Sequence, residues 1–551
     1  MTPQWARALV DEGWLTAGQL EAAVQSSKTR AESLIRTLVG QGLVPEEKLL
    51  RLVARQQGLG FVSFRETPPE PAALACLTAR FVAHYQIMPV KLTGTLLQIA
   101  VSNPFDQAAV EDIESGQGLK VERVLACAAD ILEAARVHYG VGAETVERIL
   151  ADLPGQGSGS QVEASHDLEN KAEDASVIKL VNQLLHQAIT DRATDVHFEV
   201  YRDEVILRRR IDGILYDMAV SRNMASLYPA IISRIKLMAG LNIVERRMPQ
   251  DGRARVNIGH YQYDLRVSVV PSVHGENVVI RILPTTMLFS LEQLGLSPRH
   301  SRILTELIQL PHGIVFVTGP TGSGKSTTLY ACLSRLNTRD HKIITIEDPV
   351  EYEIKGIMQT QVNPRIDLTF ARALRSLLRH DPDIMMVGEV RDRETAEITI
   401  QTALTGHLVF STLHTNDAAS AAIRLLDMGV DPYLIASTVR SFMAQRLVRV
   451  VCEHCREWYD FNGRRCSRGR GCPQCNGTGY RGRVAISEIL QVLPGIQDLI
   501  LRRASARDIR QKAVELGMKT LAADGWDKIV EGTTTVDEVT RVTFDTLSNV
   551  E

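Results

Sequence analysis

The stretch Ile314-Val-Phe-Val-Thr-Gly-Pro-Thr-Gly-Ser-Gly-Lys-Ser-Thr-Thr-Leu-Tyr330 decides how the second half of the chain is read. Ile314 to Val317 form a short apolar run that reads as a buried strand. Gly319-Pro320-Thr321-Gly322-Ser323-Gly324-Lys325-Ser326 then fits G-x-x-x-x-G-K-[ST] in full, and Ser326-Thr327-Thr328-Leu329-Tyr330 opens a helix. The glycines let backbone N–H groups close around phosphate oxygens, and the helix N-terminus adds a favourable field for an anion. Lys325 is expected to reach the β and γ phosphates and Ser326 to ligate Mg2+, with Thr327 beside it. The expected ligands are therefore ATP and Mg2+.

Three further apolar runs lie downstream. Ile343-Ile344-Thr345-Ile346 ends in Glu347-Asp348-Pro349-Val350-Glu351, and carboxylates at the end of a strand suit metal positioning or water activation. The run Asp383 to Val387 ends in Gly388-Glu389, an acidic residue where the second half of a nucleotide site is expected. Leu408 to Leu413 is framed by His407 and His414, candidate sensors of the γ-phosphate. Helical segments separate these runs, as in a mostly parallel sheet, so the fold class is α/β.

The chain has 551 residues, with 62 basic against 65 acidic side chains and a net charge of −3. A dedicated nucleic-acid binder carries a basic excess, so no nucleic-acid partner is expected. No run approaches the roughly 18 apolar residues of a membrane span. Asp11 and Glu12 also interrupt the start where a secretory signal would be apolar. The expectation is a cytoplasmic protein that meets a membrane only through partners. Among eight cysteines, Cys452-x-x-Cys455 and Cys472-x-x-Cys475 stand sixteen residues apart, the spacing of a structural zinc site with four thiolates. Zinc binding there is worth ~10–16 kcal/mol of local folding free energy. Cys466 and His454 lie inside this module as competing ligands; Cys76, Cys127 and Cys332 read as buried residues.

The first sixty residues contain a repeat. Leu9-Val10-x-x-Gly13-Trp14-Leu15, with Leu20 and Val24, recurs 29 residues later as Leu38-Val39-x-x-Gly42-Leu43-Val44, with Leu49 and Val53. Each copy reads as helix, glycine turn, helix. The domain plan is a helical repeat domain at 1–60, a small α/β docking domain at 61–145 and a linker at 146–175 that includes Pro154-Gly-Gln-Gly-Ser-Gly-Ser160. An α+β domain follows at 176–290, then the P-loop domain at 291–450, the zinc module at 451–485 and a helical region at 486–551. Leu96 to Val101 reads as a strand, and Asp130 as the cap of a helix reaching Tyr139.

The four motifs in this order resemble the type II secretion and type IV pilus assembly ATPases, the general secretory pathway protein E family. The matching segments are Ile346-Glu-Asp-Pro-Val-Glu-Tyr352, Asp381-Pro-Asp-Ile-Met-Met-Val-Gly-Glu-Val-Arg-Asp392, Thr405-Gly-His-Leu-Val-Phe-Ser-Thr-Leu-His-Thr-Asn416 and Ala444-Gln-Arg-Leu447. The likeness extends through Gln250-Asp-Gly-Arg253, Gly275-Glu-Asn-Val-Val-Ile-Arg281 and Ala193-Thr-Asp-Val-His-Phe-Glu-Val200; the last departs from the family's usual wording at Thr194 and Val200. The resemblance implies a RecA-like core in a homo-hexameric ring that hydrolyses ATP, with nucleotide held between that core and the domain at 176–290. It assigns Arg253, Arg266 and Arg281 to the phosphates. It implies inner-membrane platform proteins as partners, and pseudopilus assembly for secretion, with pilus extension as the alternative. A nucleic-acid translocase and a non-hydrolysing scaffold are the rival readings. The repeats resemble tandem elements that bind cyclic di-GMP in some relatives. The arginines and glycines of that motif are missing at Gln4-Trp5-Ala6 and Ser33-Leu34-Ile35, so cyclic di-GMP binding is not expected.

Overall fold

The computed structural model describes residues 3–30, 33–64, 66–152, 174–202, 204–221, 223–285 and 290–543. The chain divides into two compact units, Met1–Pro284 and Thr285–Glu551.

In the first unit the two sequence repeats form two helix pairs. Gln4–Asp11 turns at Gly13 into Ala17–Arg30, and Leu34–Gly40 turns at Gly42 into Glu46–Gln57. Both glycines have left-handed φ, 73° and 66°, which only glycine adopts without steric cost. The repeated Leu9 and Leu38, and Leu20 and Leu49, are buried. Their core continues into a sheet of β1 (Gly60–Phe61), β2 (Met88–Thr93), β3 (Leu96–Val101) and β4 (Lys120–Leu125), ordered β1-β4-β3-β2. One apolar cluster runs from Trp5 to Ala134, so secondary structure changes near residue 60 without any break in the core.

Three local expectations are corrected. Asp130 is not the cap of its helix: Ala128–Tyr139 starts after Cys127, and Asp130 lies in the first turn, where a carboxylate still meets the helix dipole favourably. Cys76 and Cys127 are only half-buried, while Cys332 is buried. The segment read as a linker begins inside the helix Ala143–Asp152, because Val146 and Ile149 share one helical face and join the core of Val177 and Leu180. The glycine- and serine-rich residues 153–173 lie outside the described residues.

The rest of the first unit is an antiparallel sheet of β5 (Ala193–Val200), β6 (Val205–Ile211), β7 (Ile214–Asp217), β8 (Gln250–Ile258), β9 (Tyr261–Ser272) and β10 (Gly275–Pro284), ordered β7-β6-β5-β10-β9-β8. Alternation along the strands sends Val196, Phe198, Leu265, Val267, Val269, Val278 and Ile280 into a core shared with helices Ala175–Thr190 and Met224–Met238. The other face is polar. The buried Lys236 pairs with Glu276 and donates to the Glu245 carbonyl at 2.7 Å.

The second unit is built on β11 (Gly313–Thr318), β12 (Ile343–Glu347), β13 (Met358–Gln361), β14 (Ile384–Val387), β15 (Leu408–Leu413), β16 (Val439–Val451) and β19 (Tyr480–Gln491). The order is β13-β12-β14-β15-β11-β16-β19. Every pair is parallel except β16–β19. The central strands are covered on both faces: Ile314 and Phe316 belong to one apolar cluster, and Val315 and Val317 to the opposite one. Between β16 and β19 the chain forms a hairpin, β17 (Arg456–Phe461) with β18 (Arg464–Gly469), bracketed by the two cysteine pairs. Four helices from Pro494 to Val542 pack back onto the sheet.

Phe316 of β11 and Phe442 of β16 stack with centroids 5.7 Å apart and planes at 9°. Phe442→Ala opens a cavity at this buried contact and is expected to cost ~3–5 kcal/mol. Urea denaturation should show a lowered midpoint for the transition of the second unit.

Candidate functional site

The phosphate-loop residues lie where the parallel strands end. β11 stops at Thr318, and the helix Lys325–Leu336 begins after Gly324. Gly319, Gly322 and Gly324 have φ of 149°, 80° and 87°. A Cβ on Gly319 would come within 2.6 Å of Ser323 Oγ and 2.7 Å of the Gln445 carbonyl, so the loop closes only with glycine there. Pro320, Thr321, Gly322, Ser326 and Thr327 are exposed at the mouth, whereas Ser323 and Thr328 are buried beneath it. Lys325 Nζ folds over the loop and donates to the Gly319 carbonyl at 2.8 Å and the Pro320 carbonyl at 3.1 Å. Burial holds its pKa down to about 8, against the attraction of Glu389 and with the help of repulsion from Arg446. Ser323 Oγ is buried with no hydrogen-bond partner.

Two candidate residues meet beside this loop. Glu389 follows β14 and His414 follows β15; His414 Nε2 donates to Glu389 Oε2 at 3.1 Å. Arg391 Nε pairs with the same oxygen at 2.8 Å. Thr318 at the end of β11 is tied to the next turn: its Oγ1 lies 2.7 Å from Thr415 Oγ1 and accepts the Thr415 N–H at 2.9 Å.

Two other candidates stand differently from the expectation. His407 precedes β15, as the sequence order requires, and Gly313 N–H bonds its carbonyl at the start of β11, the end opposite the phosphate loop. It therefore sits a whole strand away from the loop, ~20 Å at about 3.3 Å per residue. There its Nδ1 donates to the Thr402 carbonyl at 2.9 Å, a local turn contact. Glu347 ends β12 but is buried, and both of its oxygens are engaged. Tyr330 Oη bonds one; Thr345 Oγ1 at 2.6 Å and Gln359 Nε2 at 3.0 Å bond the other. Burial and that carboxylate push the Tyr330 phenol far above its usual range. Glu351 is half-buried in the following loop, and its N–H donates to Tyr330 Oη at 3.3 Å.

Arg253, Arg266 and Arg281 occupy adjacent strands of the first unit. Arg253 of β8 is directly opposite Arg266 of β9, which is directly opposite Arg281 of β10. The row continues through Asp195 of β5 to Arg210 of β6. Asp195 accepts from Arg281 Nε at 3.0 Å and lies 3.7 Å from Arg210 Nε. Like charges directly opposite one another repel, so this polar face is suited to holding an anion.

Cys452, Cys455, Cys472 and Cys475 place all four sulfurs within 4.8 Å of one another. Cys452–Cys472 and Cys472–Cys475 are 3.7 Å apart and Cys455–Cys475 3.9 Å. A zinc–sulfur length of about 2.3 Å sets tetrahedral sulfurs ~3.8 Å apart, so the donor set fits that ion. Burial raises the Cys475 thiol's pKa, but N–H groups of Cys472 and Gly479 outweigh it and bring the value to about 7. Gly469 and Gly479 let the two arms cross closely, since a Cβ on Gly469 would lie 2.0 Å from the Gly479 carbonyl oxygen. Cys466 is buried in the core and, like His454, is not one of the clustered donors.

The sequence reading did not single out Gln445 and Arg446 for a role at the loop. The available signal was two polar residues inside the otherwise apolar run Phe442-Met-Ala-Gln-Arg-Leu-Val448. No described helix is long and apolar enough to cross a membrane.

Comparison with known proteins agrees with this geometry. The Type II/IV secretion system protein family matches residues 170–541, and the MshEN domain matches residues 57–145. The Type IV pilus assembly ATPase PilB of Myxococcus xanthus is 38% identical over 98% of both chains. The Type II secretion system protein E of Xanthomonas campestris is 42% identical over 95% of both. The X-ray structure of the Legionella pneumophila ATPase DotB shares the fold, with a TM-score of 0.50 at 24% identity over 66% of this chain and 94% of that one. With its phosphate loop set in a RecA-like sheet and its match across the greater part of the sequence, the chain belongs to the ATP-hydrolysing Type II/IV secretion system protein family.

Proposed function

We propose that this chain is the cytoplasmic ATPase of a type II secretion system, working as a ring of six to drive pseudopilus assembly against inner-membrane platform proteins. The observation that carries the ATPase site is the Glu389–His414 pair at the ends of β14 and β15, next to the lysine loop that ends β11. The secretion branch is favoured by the higher identity to the secretion relative, 42% against 38%. Pilus extension is the second reading, supported by the pilus ATPase that matches over 98% of both chains.

Lys325 holds the β and γ phosphates, and Ser326 would ligate Mg2+, which supplies charge neutralisation when bound. Water attacks the γ-phosphorus, and the bond from that phosphorus to the β–γ bridging oxygen breaks. Glu389 positions the water and takes its proton, with His414 holding the carboxylate in place. Glu347 is left out of this step because its oxygens are occupied within the protein. The row Arg253, Arg266 and Arg281 is assigned to phosphate charge on the family resemblance. The four thiolates hold one structural zinc. Neither nucleic acid nor cyclic di-GMP is a proposed ligand. The positions where the two copies of the cyclic di-GMP motif would open have other contacts here: Trp5 and Ile35 are buried, and Ser33 caps its own helix by accepting the Arg36 N–H at 3.2 Å.

Lys325→Ala should abolish MgATP binding. Glu389→Gln should retain binding but lower kcat by roughly 10²–10⁴. Calorimetry and phosphate release measure the two, and a Lys325→Ala protein that still hydrolyses ATP rejects the site. Nucleotide affinity should be flat below about pH 8 and fall above it. The free-state lysine loses its charge as pH rises through that value, so binding must then take up a proton; proton uptake measured in two buffers checks the sign. Metal analysis of the purified protein should give one zinc per chain, and Cys472→Ser should lose it.

A further inference from the structure

β16 runs through the interior of the second unit's sheet, yet it carries Gln445 and Arg446, which are only 1% and 5% exposed. A buried amide or guanidinium is costly unless its polar atoms are bonded, so the partners indicate the role. Both ends of the Gln445 amide are spent on the phosphate loop and the helix it starts. Nε2 donates to the Ser323 carbonyl at 2.9 Å, and Oε1 accepts from Thr328 Oγ1 at 2.7 Å. The fit is tight, since a Cβ on Gly324 would approach the same Nε2 to 2.7 Å. Arg446 acts on the neighbouring turn. Its Nη1 donates to the Gln445 carbonyl at 3.0 Å and its Nη2 to the Asn416 carbonyl at 2.7 Å. Asn416 follows His414 and Thr415, the turn already tied to Thr318 at the end of β11.

We infer that Gln445 and Arg446 are positioning residues of the ATPase reaction: Gln445 sets the phosphate loop, and Arg446 clamps the His414 turn to the same strand. Neither side chain is assigned to contact the reacting atoms. Gln445 acts by presenting the loop's backbone donors at the right place, a small displacement of which is costly. Arg446 acts by holding the partner of Glu389. The inference rests on the reading of Gly319–Ser326 as the ATP site.

The test uses the full chain, with MgADP titrated by calorimetry and ATP turnover measured at saturation. Gln445→Met keeps the length and removes both hydrogen bonds, and should weaken MgADP roughly 10–100-fold. Thr328→Val removes one of those bonds from the other side. It should act in the same direction, and the double variant should bind no more weakly than Gln445→Met alone. Arg446→Lys loses the two-pronged grip and should lower kcat about tenfold while MgADP affinity stays within about threefold. A purely structural role would not separate affinity from kcat in this way.

Unchanged MgADP affinity in Gln445→Met, or losses that add in the double variant, overturns the inference. If Gln445→Met does not fold, unchanged affinity in Thr328→Val does the same. Lys325→Ala separates the two levels. If it alone loses MgADP, the nucleotide site stands and the positioning role falls; if neither it nor Gln445→Met changes binding, the nucleotide reading has failed.

Discussion

Parallel strands all deliver their C-terminal ends to one edge of a sheet, and the chemistry of the second unit depends on that constraint. The neighbours β12-β14-β15-β11 bring Glu347, Glu389, His414 and the lysine loop to the same edge from positions up to 95 residues apart in sequence. Apolar packing on both faces keeps that edge rigid. The loop does not have to organise itself on meeting an anion, because its glycine geometry is already imposed by β11 and β16. Burial within that fixed loop is what holds the Lys325 pKa down, and the attraction of Glu389 only partly offsets it.

The charged row on the first unit's sheet follows from a different constraint. Cross-strand register in an antiparallel sheet is fixed by which residues face the core, here Val196, Val267 and Ile280 among others. With that register set, Arg253, Arg266 and Arg281 must align whether or not their charges are compatible. Asp195 supplies a carboxylate within the row, at the end where Arg281 and Arg210 flank it.

Much of this was legible from the residues alone. Central parallel strands are buried on both faces and read as unbroken apolar runs, so Ile343 to Ile346 and Leu408 to Leu413 were recognisable without an alternation pattern. The lysine loop and the paired cysteines were equally plain, because their spacing is the chemistry. What was hidden concerns partners and direction. Two histidines frame β15, but a strand has two ends, and only the sheet shows which end faces the loop. Glu347 reads as an available carboxylate until Tyr330, Thr345 and Gln359 are seen around it. The helix Ala143–Asp152 was masked by the glycine-rich stretch after it, although Val146 and Ile149 carried its helical spacing. Gln445 and Arg446 had no visible role because their partners lie 122 and 30 residues away.

β16 reaches Cys452 immediately after Val451, and β19 leaves the cysteine hairpin a few residues beyond Cys475. These two strands pair in antiparallel register from Ser441 and Gln491 to Val451 and Tyr480, and Gln445 lies within that ladder opposite Ser487. The four-cysteine cluster therefore lies at the free ends of a ladder whose middle braces the phosphate loop. The cysteine cluster and the residue that braces the phosphate loop thus share one pair of strands, so the loop is held from a ladder whose far end is closed by chemistry of a different kind.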